Sequence, residues 1–178
     1  MRLPTFFHAG LMGLALLLLV CPAHGDVSER FGGTNNTHLL ASAPVIIAWR
    51  TAGSLQTNDY YGELLWKKSG PPMVVSTNLA RELSFILLDE RTYYAVEGAP
   101  KNSLSWPCVM MSFTDGKTTL DLFFSFRDNS IAVKVGTEKY GLPLLVDSNI
   151  DPCRAKILAI IKKIFPEDAY LQALPDKL

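Results

Sequence analysis

Short apolar runs follow one another from Pro44 to about residue 146, and turn signals separate them. The runs are rich in β-branched and aromatic residues, which favour strands. Nine candidate strands result, at residues 45–51, 60–67, 73–76, 83–88, 92–96, 108–113, 118–126, 131–135 and 142–146. The stretch 77–83 is ambiguous, because Asn78 could also cap a short helix.

Two turns predict a three-stranded antiparallel meander over residues 108–135. Asp115-Gly116 is a two-residue hairpin signal that sets Met111 opposite Leu120, and a second turn at Asp128-Asn129 sets Phe124 opposite Val133. Both turns select the same inner face, which supports the assignment because a one-residue slip would invert it. The predicted inner face consists of Val109, Met111, Leu120, Leu122, Phe124, Phe126, Val133 and Val135.

A C-terminal helix is predicted after the last strand, with Asp151 as N-cap, Pro152 at the first helical position and Pro166 beyond its end. Its apolar stripe includes Cys153 and Ile157, so we expect it to cover the sheet. The predicted fold is mainly β, or α+β by count: an antiparallel up-and-down barrel or sandwich with one C-terminal helix packed against it, in a single domain of residues 43–178. A twisted sheet with the helix plugging one end is the alternative.

The N-terminus predicts export. One basic residue, Arg2, precedes an apolar run, and small residues at Ala23 and Gly25 mark a cleavage site, so residues 1–25 are predicted to be a signal peptide. Residues 26–42 are polar and rich in Gly, Asn and Thr, which predicts a flexible leader. The periplasm is the favoured destination, and the sequon Asn35-Asn36-Thr37 leaves extracellular secretion as the alternative.

Cleavage of the signal peptide changes the number of charged side chains and cysteines. Removing Arg2 leaves 16 basic side chains against 17 acidic ones, a net charge of −1 without a basic run. This excludes the electrostatic basis of nucleic-acid binding, and we expect no stable membrane insertion after cleavage. Cys108 and Cys153 remain, and an oxidising compartment predicts a disulfide between them.

Candidate chemistry is sparse. His38 is the histidine that remains after cleavage, and no nucleophile elbow, SxxK pair, zinc ligand set or phosphate loop occurs. We therefore predict a protein that is not an enzyme and has no cofactor and no metal site. Five carboxylates leave a carboxylate-based hydrolase as the least favoured alternative. These are Asp59, Glu63, Asp89, Glu90 and Glu97.

Surplus aromatic residues indicate a binding surface, because adjacent aromatics on a strand place one ring on each face. The candidates are Trp106, Tyr60, Tyr61, Tyr93 and Tyr94. The predicted function is an exported, non-enzymatic protein-binding domain, for example an inhibitor or immunity-type factor of the cell envelope, whose partner is another protein. A small β-barrel carrier of an apolar ligand is the alternative.

Overall fold

The computed structural model describes residues 26–58, 63–93, 107–135 and 144–177, so the predicted signal peptide lies outside the described residues. The described elements are α1 (Val27–Arg30), α2 (Thr34–Ser42), β1 (Val45–Asn58), β2 (Glu63–Val74), α3 (Thr77–Leu87), β3 (Val109–Thr114), β4 (Thr119–Ser125), β5 (Ser130–Val135), β6 (Leu144–Asn149), α4 (Arg154–Ile164) and α5 (Ala169–Ala173). There are also two one-turn 3-10 helices. One, Glu90–Thr92, follows α3, and the other, Asp151–Cys153, leads directly into α4.

The strands form one open antiparallel sheet in the order β2-β1-β3-β4-β5-β6. The fold is therefore α+β, and the predicted barrel or sandwich is wrong, because β2 and β6 lie at opposite edges and do not pair. The strand predicted at 83–88 is part of helix α3 instead. Leu79, Leu83 and Leu87 recur every four residues and pack into the core, which is helical spacing.

The main core lies between the sheet and the helices. Alternate residues of the central strands, such as Val109, Met111 and Phe124, are fully buried on the face that the helices cover. Helix residues such as Leu40 and Ile157 belong to the same cluster of buried side chains. We call this side of the sheet the helix face and the opposite side the outer face.

The meander has the predicted faces in a different register. Met111 lies opposite Leu122, and Phe124 lies opposite Ile131, so both pairings are shifted by two residues from the prediction. The first turn is longer than predicted because Asp115 Oδ1 accepts hydrogen bonds from the backbone N–H groups of Lys117 (2.8 Å) and Thr118 (2.7 Å). An even shift preserves the faces. The predicted inner residues with described side chains are accordingly buried: Val109, Met111, Leu120, Leu122, Phe124, Phe126 and Val133.

Residues 26–42, predicted to be a flexible leader, form α1 and α2 instead. Asp26 Oδ1 caps α1 by accepting from Ser28 N at 2.9 Å. Gly32 (φ 75°) and Gly33 (φ 117°) make the sharp connection between the two helices, in backbone conformations that favour glycine. Phe31, Leu39 and Leu40 are buried in the main core, so this segment is part of the folded domain.

Two arginines connect the C-terminal segment to the sheet. Arg50 of β1 donates to Asp168 Oδ2 at 2.6 Å, and its guanidinium lies 5.1 Å from the centre of the Tyr170 ring. Arg154 is buried and donates to the carbonyl oxygens of Phe126 (2.7 Å) and Pro175 (2.9 Å). The chain after α4 is therefore held at both of these points.

Candidate functional site

The outer face of the sheet is buried at one end and exposed at the other. Met110, Phe123 and Ala132, on adjacent strands, form a small cluster that is at most 7% exposed. Toward the β3–β4 turn, Thr114 is half-buried and Thr119 is exposed. The accessible part of this face therefore lies beyond the cluster, toward the first residues of β1.

Four apolar residues of β1 and β2 extend from the edge of the buried cluster, where Trp49 lies opposite Met110, into that accessible region. Alternation along β1 sends Val45, Ile47 and Trp49 to the outer face, while the intervening Ile46 is buried on the helix face. Val74 of β2 lies directly opposite Ile47. Val74 is 78% exposed and Val45 is 42% exposed, whereas Ile47 and Trp49 are half-buried. We call these four residues the β1–β2 patch.

A lysine borders the β1–β2 patch. The Nζ atom of Lys68 lies 3.7 Å from the centre of the Trp49 ring, which is cation–π geometry. Lys68 is itself exposed. The patch thus combines aliphatic side chains with one aromatic ring and has a cation at its border, which matches the apolar centre and polar rim of a protein interface.

The backbone beside the patch is poorly suited to adding a strand. Val75 N donates to Ile46 O at 3.0 Å, so in an antiparallel ladder the N–H of Val74 points toward the free edge of β2, where it could pair with an added strand, but this pairing cannot continue along β2. Pro71 and Pro72 have no N–H, and Gly70 has a φ of 79° where the register with β1 shifts. Such interruptions discourage edge-to-edge pairing. The patch therefore offers side chains rather than a strand edge.

A serine and an aspartate meet beside the patch. Ser112 Oγ donates to Asp121 Oδ1 at 2.5 Å across β3 and β4, and Ser112 also lies opposite Ile47. A serine nucleophile needs a base that can take its proton, usually a histidine. His38 lies on α2, whose buried residues pack on the helix face, and its Nδ1 is 3.3 Å from Ser42 Oγ. The Ser112–Asp121 pair thus acts as a cross-strand hydrogen bond.

Of the aromatic residues predicted to form a binding surface, one has a described position. Tyr93 is only 4% exposed, its hydroxyl donates to Leu87 O at 2.7 Å, and its ring lies edge-on to Phe31 with centroids 6.4 Å apart. Burial raises the pKa of the Tyr93 hydroxyl. Tyr93 is therefore a core residue, and its predicted place on a binding surface is wrong. The other candidates, Trp106, Tyr60, Tyr61 and Tyr94, lie outside the described residues.

The two cysteines are free thiols in the structure, so the predicted disulfide between Cys108 and Cys153 is not formed. Both contribute to the main core: Cys108 is buried, and the half-buried Cys153 packs against the cluster. The Sγ of Cys108 donates to Phe124 O at 3.5 Å. Burial raises the pKa of the Cys108 thiol, which disfavours the reactive thiolate.

The carboxylates considered for hydrolysis are not assembled into a site among the described residues. Asp59 and Glu97 lie outside those residues, and Glu90 is exposed. Asp89 accepts hydrogen bonds from the Arg91 guanidinium, which lower its pKa to about 2. A general acid needs the opposite shift, toward neutral pH.

Within the described ranges, no group of three or more His, Cys, Asp or Glu side chains could hold a metal ion. None of the helices in those ranges is long and apolar enough to cross a membrane. Comparison with known proteins yields no matching family model, no curated relative and no similar solved structure.

Sequence reasoning missed the β1–β2 patch, although a signal for it exists. The run from Val45 to Trp49 is apolar at every position. In a strand that packs on one side only, apolar residues would alternate with polar ones. Apolar residues on both faces of β1 indicate a second layer or a partner. Val74 gives no such signal, since its exposure depends on β2 being an edge strand.

Proposed function

We propose that the mature chain is an exported, non-enzymatic domain that binds another protein through the β1–β2 patch. The observation that carries this proposal is the exposure of aliphatic side chains on a sheet face: Val74 is 78% and Val45 is 42% exposed, beside the half-buried Ile47. Apolar groups that cluster on an otherwise polar surface are typical of interaction sites.

Covering the β1–β2 patch with a partner would be energetically favourable. Fully burying a Val or Ile side chain contributes roughly 1.5–3 kcal/mol. Three such residues therefore provide a hydrophobic centre beside Trp49, the residue type among the four that is enriched at interface hot spots. The exposed Lys68 and Thr119 belong to a more polar surround.

The carrier of an apolar ligand, considered from the sequence, requires a closed barrel with an internal cavity. The sheet is open, so it does not form the barrel that this function requires. Export is supported by the tripartite signal at residues 1–25, and an inhibitor or immunity-type factor of the cell envelope is the class we favour.

A site-specific photo-crosslinker tests the binding surface in the compartment to which the chain is exported. It is placed at Val74 or, as a matched control, at Phe85 of α3, which is 75% exposed. We expect one discrete adduct with a different protein at position 74 and none at position 85. The Val45→Arg variant should abolish that adduct without changing the circular dichroism spectrum. Equal labelling at both positions, or no adduct at position 74, would refute the proposal.

A further inference from the structure

The chain contains one sequence for N-linked glycosylation, Asn35-Asn36-Thr37. The fold places this triplet in the first turn of α2, which begins at Thr34. The binding function proposed above makes no use of these residues.

The two adjacent asparagines differ in their surroundings. Asn35 is exposed and lies on the solvent side of α2 with His38 and Ser42, while Leu39 and Leu40 point into the core. Asn36 is half-buried, and its Nδ2 donates to Phe31 O at 2.6 Å. A large group attached to Asn35 would thus extend into solvent and displace no core side chain.

We propose that Asn35 carries an N-linked glycan; this proposal rests on the proposed export and takes its extracellular alternative, in which the protein-binding domain is secreted and is not a factor of the cell envelope. In the transfer, a bond forms between Asn35 Nδ2 and the anomeric carbon of an oligosaccharide whose donor is a lipid pyrophosphate. The bond from that carbon to the pyrophosphate oxygen breaks, and the lipid pyrophosphate leaves with the electron pair. The amide loses one proton, and no group is oxidised or reduced.

The modification precedes formation of α2. In the folded helix the Thr37 hydroxyl donates to Thr34 O at 2.8 Å, so the side chain that completes the sequence is already engaged. Asn35 is close to the predicted cleavage site after Gly25 and precedes the six described strands along the chain, so it crosses the membrane before them. The unfolded segment is thus accessible first.

The position of the glycan has a consequence for binding. Asn35 lies on the helical layer, whereas the β1–β2 patch lies on the outer face of the sheet. The sugar therefore shields the helix side and leaves the patch accessible.

The test is secretion of the full chain from cultured animal cells, followed by digestion with peptide-N-glycosidase. We expect one downward step in apparent mass and recovery of the peptide with aspartate at position 35. The step should be lost in Asn35→Gln and Thr37→Ala, and kept in Thr37→Ser.

Asn36→Gln is the matched control, because it preserves the glycosylation sequence but removes the side chain that bonds Phe31 O. It should keep the mass step. A secreted chain whose Asn35 peptide is unmodified would overturn the glycan proposal alone. A chain that stays in the cytoplasm, without a glycan, would overturn export as well.

Discussion

The buried guanidinium of Arg154 donates to the side-chain oxygen of Asn129, so the first residue of α4 is bonded to the turn between β4 and β5. Asn129 has a φ of 54°, and its amide also donates to Asp151. Arg154 is 2% exposed, and its other hydrogen bonds go to the carbonyl oxygens of Phe126 and Pro175. One side chain therefore joins the sheet, α4 and the C-terminal segment.

We expect Arg154→Met to lower the free energy of unfolding by about 3 kcal/mol, because each buried acceptor left unpaired costs roughly 1–3 kcal/mol. Urea unfolding of the mature chain, followed by circular dichroism, measures the loss. Lys156→Met is the control, since Lys156 is exposed on the same helix and its replacement should change stability by less than about 0.5 kcal/mol. Equal unfolding midpoints for the two variants would contradict the role given to Arg154.

Phe124 is fully buried at the centre of the helix face. Phe124→Asp should prevent folding, because it places a charge in the core without a partner. Phe124→Ala should fold with a loss of about 3–5 kcal/mol, which keeps the test quantitative. Phe85→Asp, at an exposed position, should unfold like the wild type in a thermal melt. A soluble, cooperatively folded Phe124→Asp variant would show that this face is not the core.

The alternating pattern predicted which strand residues are buried, because turn signals and period-2 alternation are local properties of the sequence. It did not predict that residues 83–87 are helical: the run from Leu83 to Leu88 suits a strand by composition. The four-residue spacing of Leu79, Leu83 and Leu87 is a local helical signal that competes with this composition, and long-range contacts such as the hydrogen bond from Ser84 Oγ to Leu40 O at 2.7 Å support the helix. The exposure of Val74 was not predicted because strand order is not encoded locally.

The interaction between Asp89 and Arg91 makes the free energy of unfolding depend on pH. Hydrogen bonds from Arg91 lower the pKa of Asp89 from 3.8 to about 2. The folded state therefore binds this proton less tightly than the unfolded state. The resulting stabilisation is present above pH 3.8 and is lost as the pH falls toward 2.

Arg91→Gln should move the midpoint of the Asp89 titration upward, toward 3.8. Carboxyl chemical shifts recorded by NMR from about 3 units below to about 2 units above the ordinary Asp value measure this. Replacing the exposed neighbour Glu90 with Gln should leave the Asp89 midpoint unchanged. An unaltered midpoint in Arg91→Gln would mean that the guanidinium does not hold this carboxylate in solution.

The two thiols should differ in reactivity. Cys108 is buried with a raised pKa, whereas Cys153 is half-buried, so iodoacetamide should label Cys153 first. Mass spectrometry of timed samples gives the order, and Cys153→Ser should leave only the slow reaction. If Cys108 reacts first, the burial described here is wrong. If neither reacts until a reductant is added, the disulfide predicted from the sequence forms in solution.

The two-residue difference between the predicted and observed registers of the meander indicates which changes in pairing preserve the core. Met111 keeps its face whether it is opposite Leu120 or Leu122, because both partners are on the same side of β4. Turns such as that at Asp115 can therefore gain or lose residues in pairs while the composition of the core is conserved. A one-residue slip of β4 against β3 would instead turn Leu120 and Leu122 to the outer face, so it would have to be compensated by a bulge within a strand.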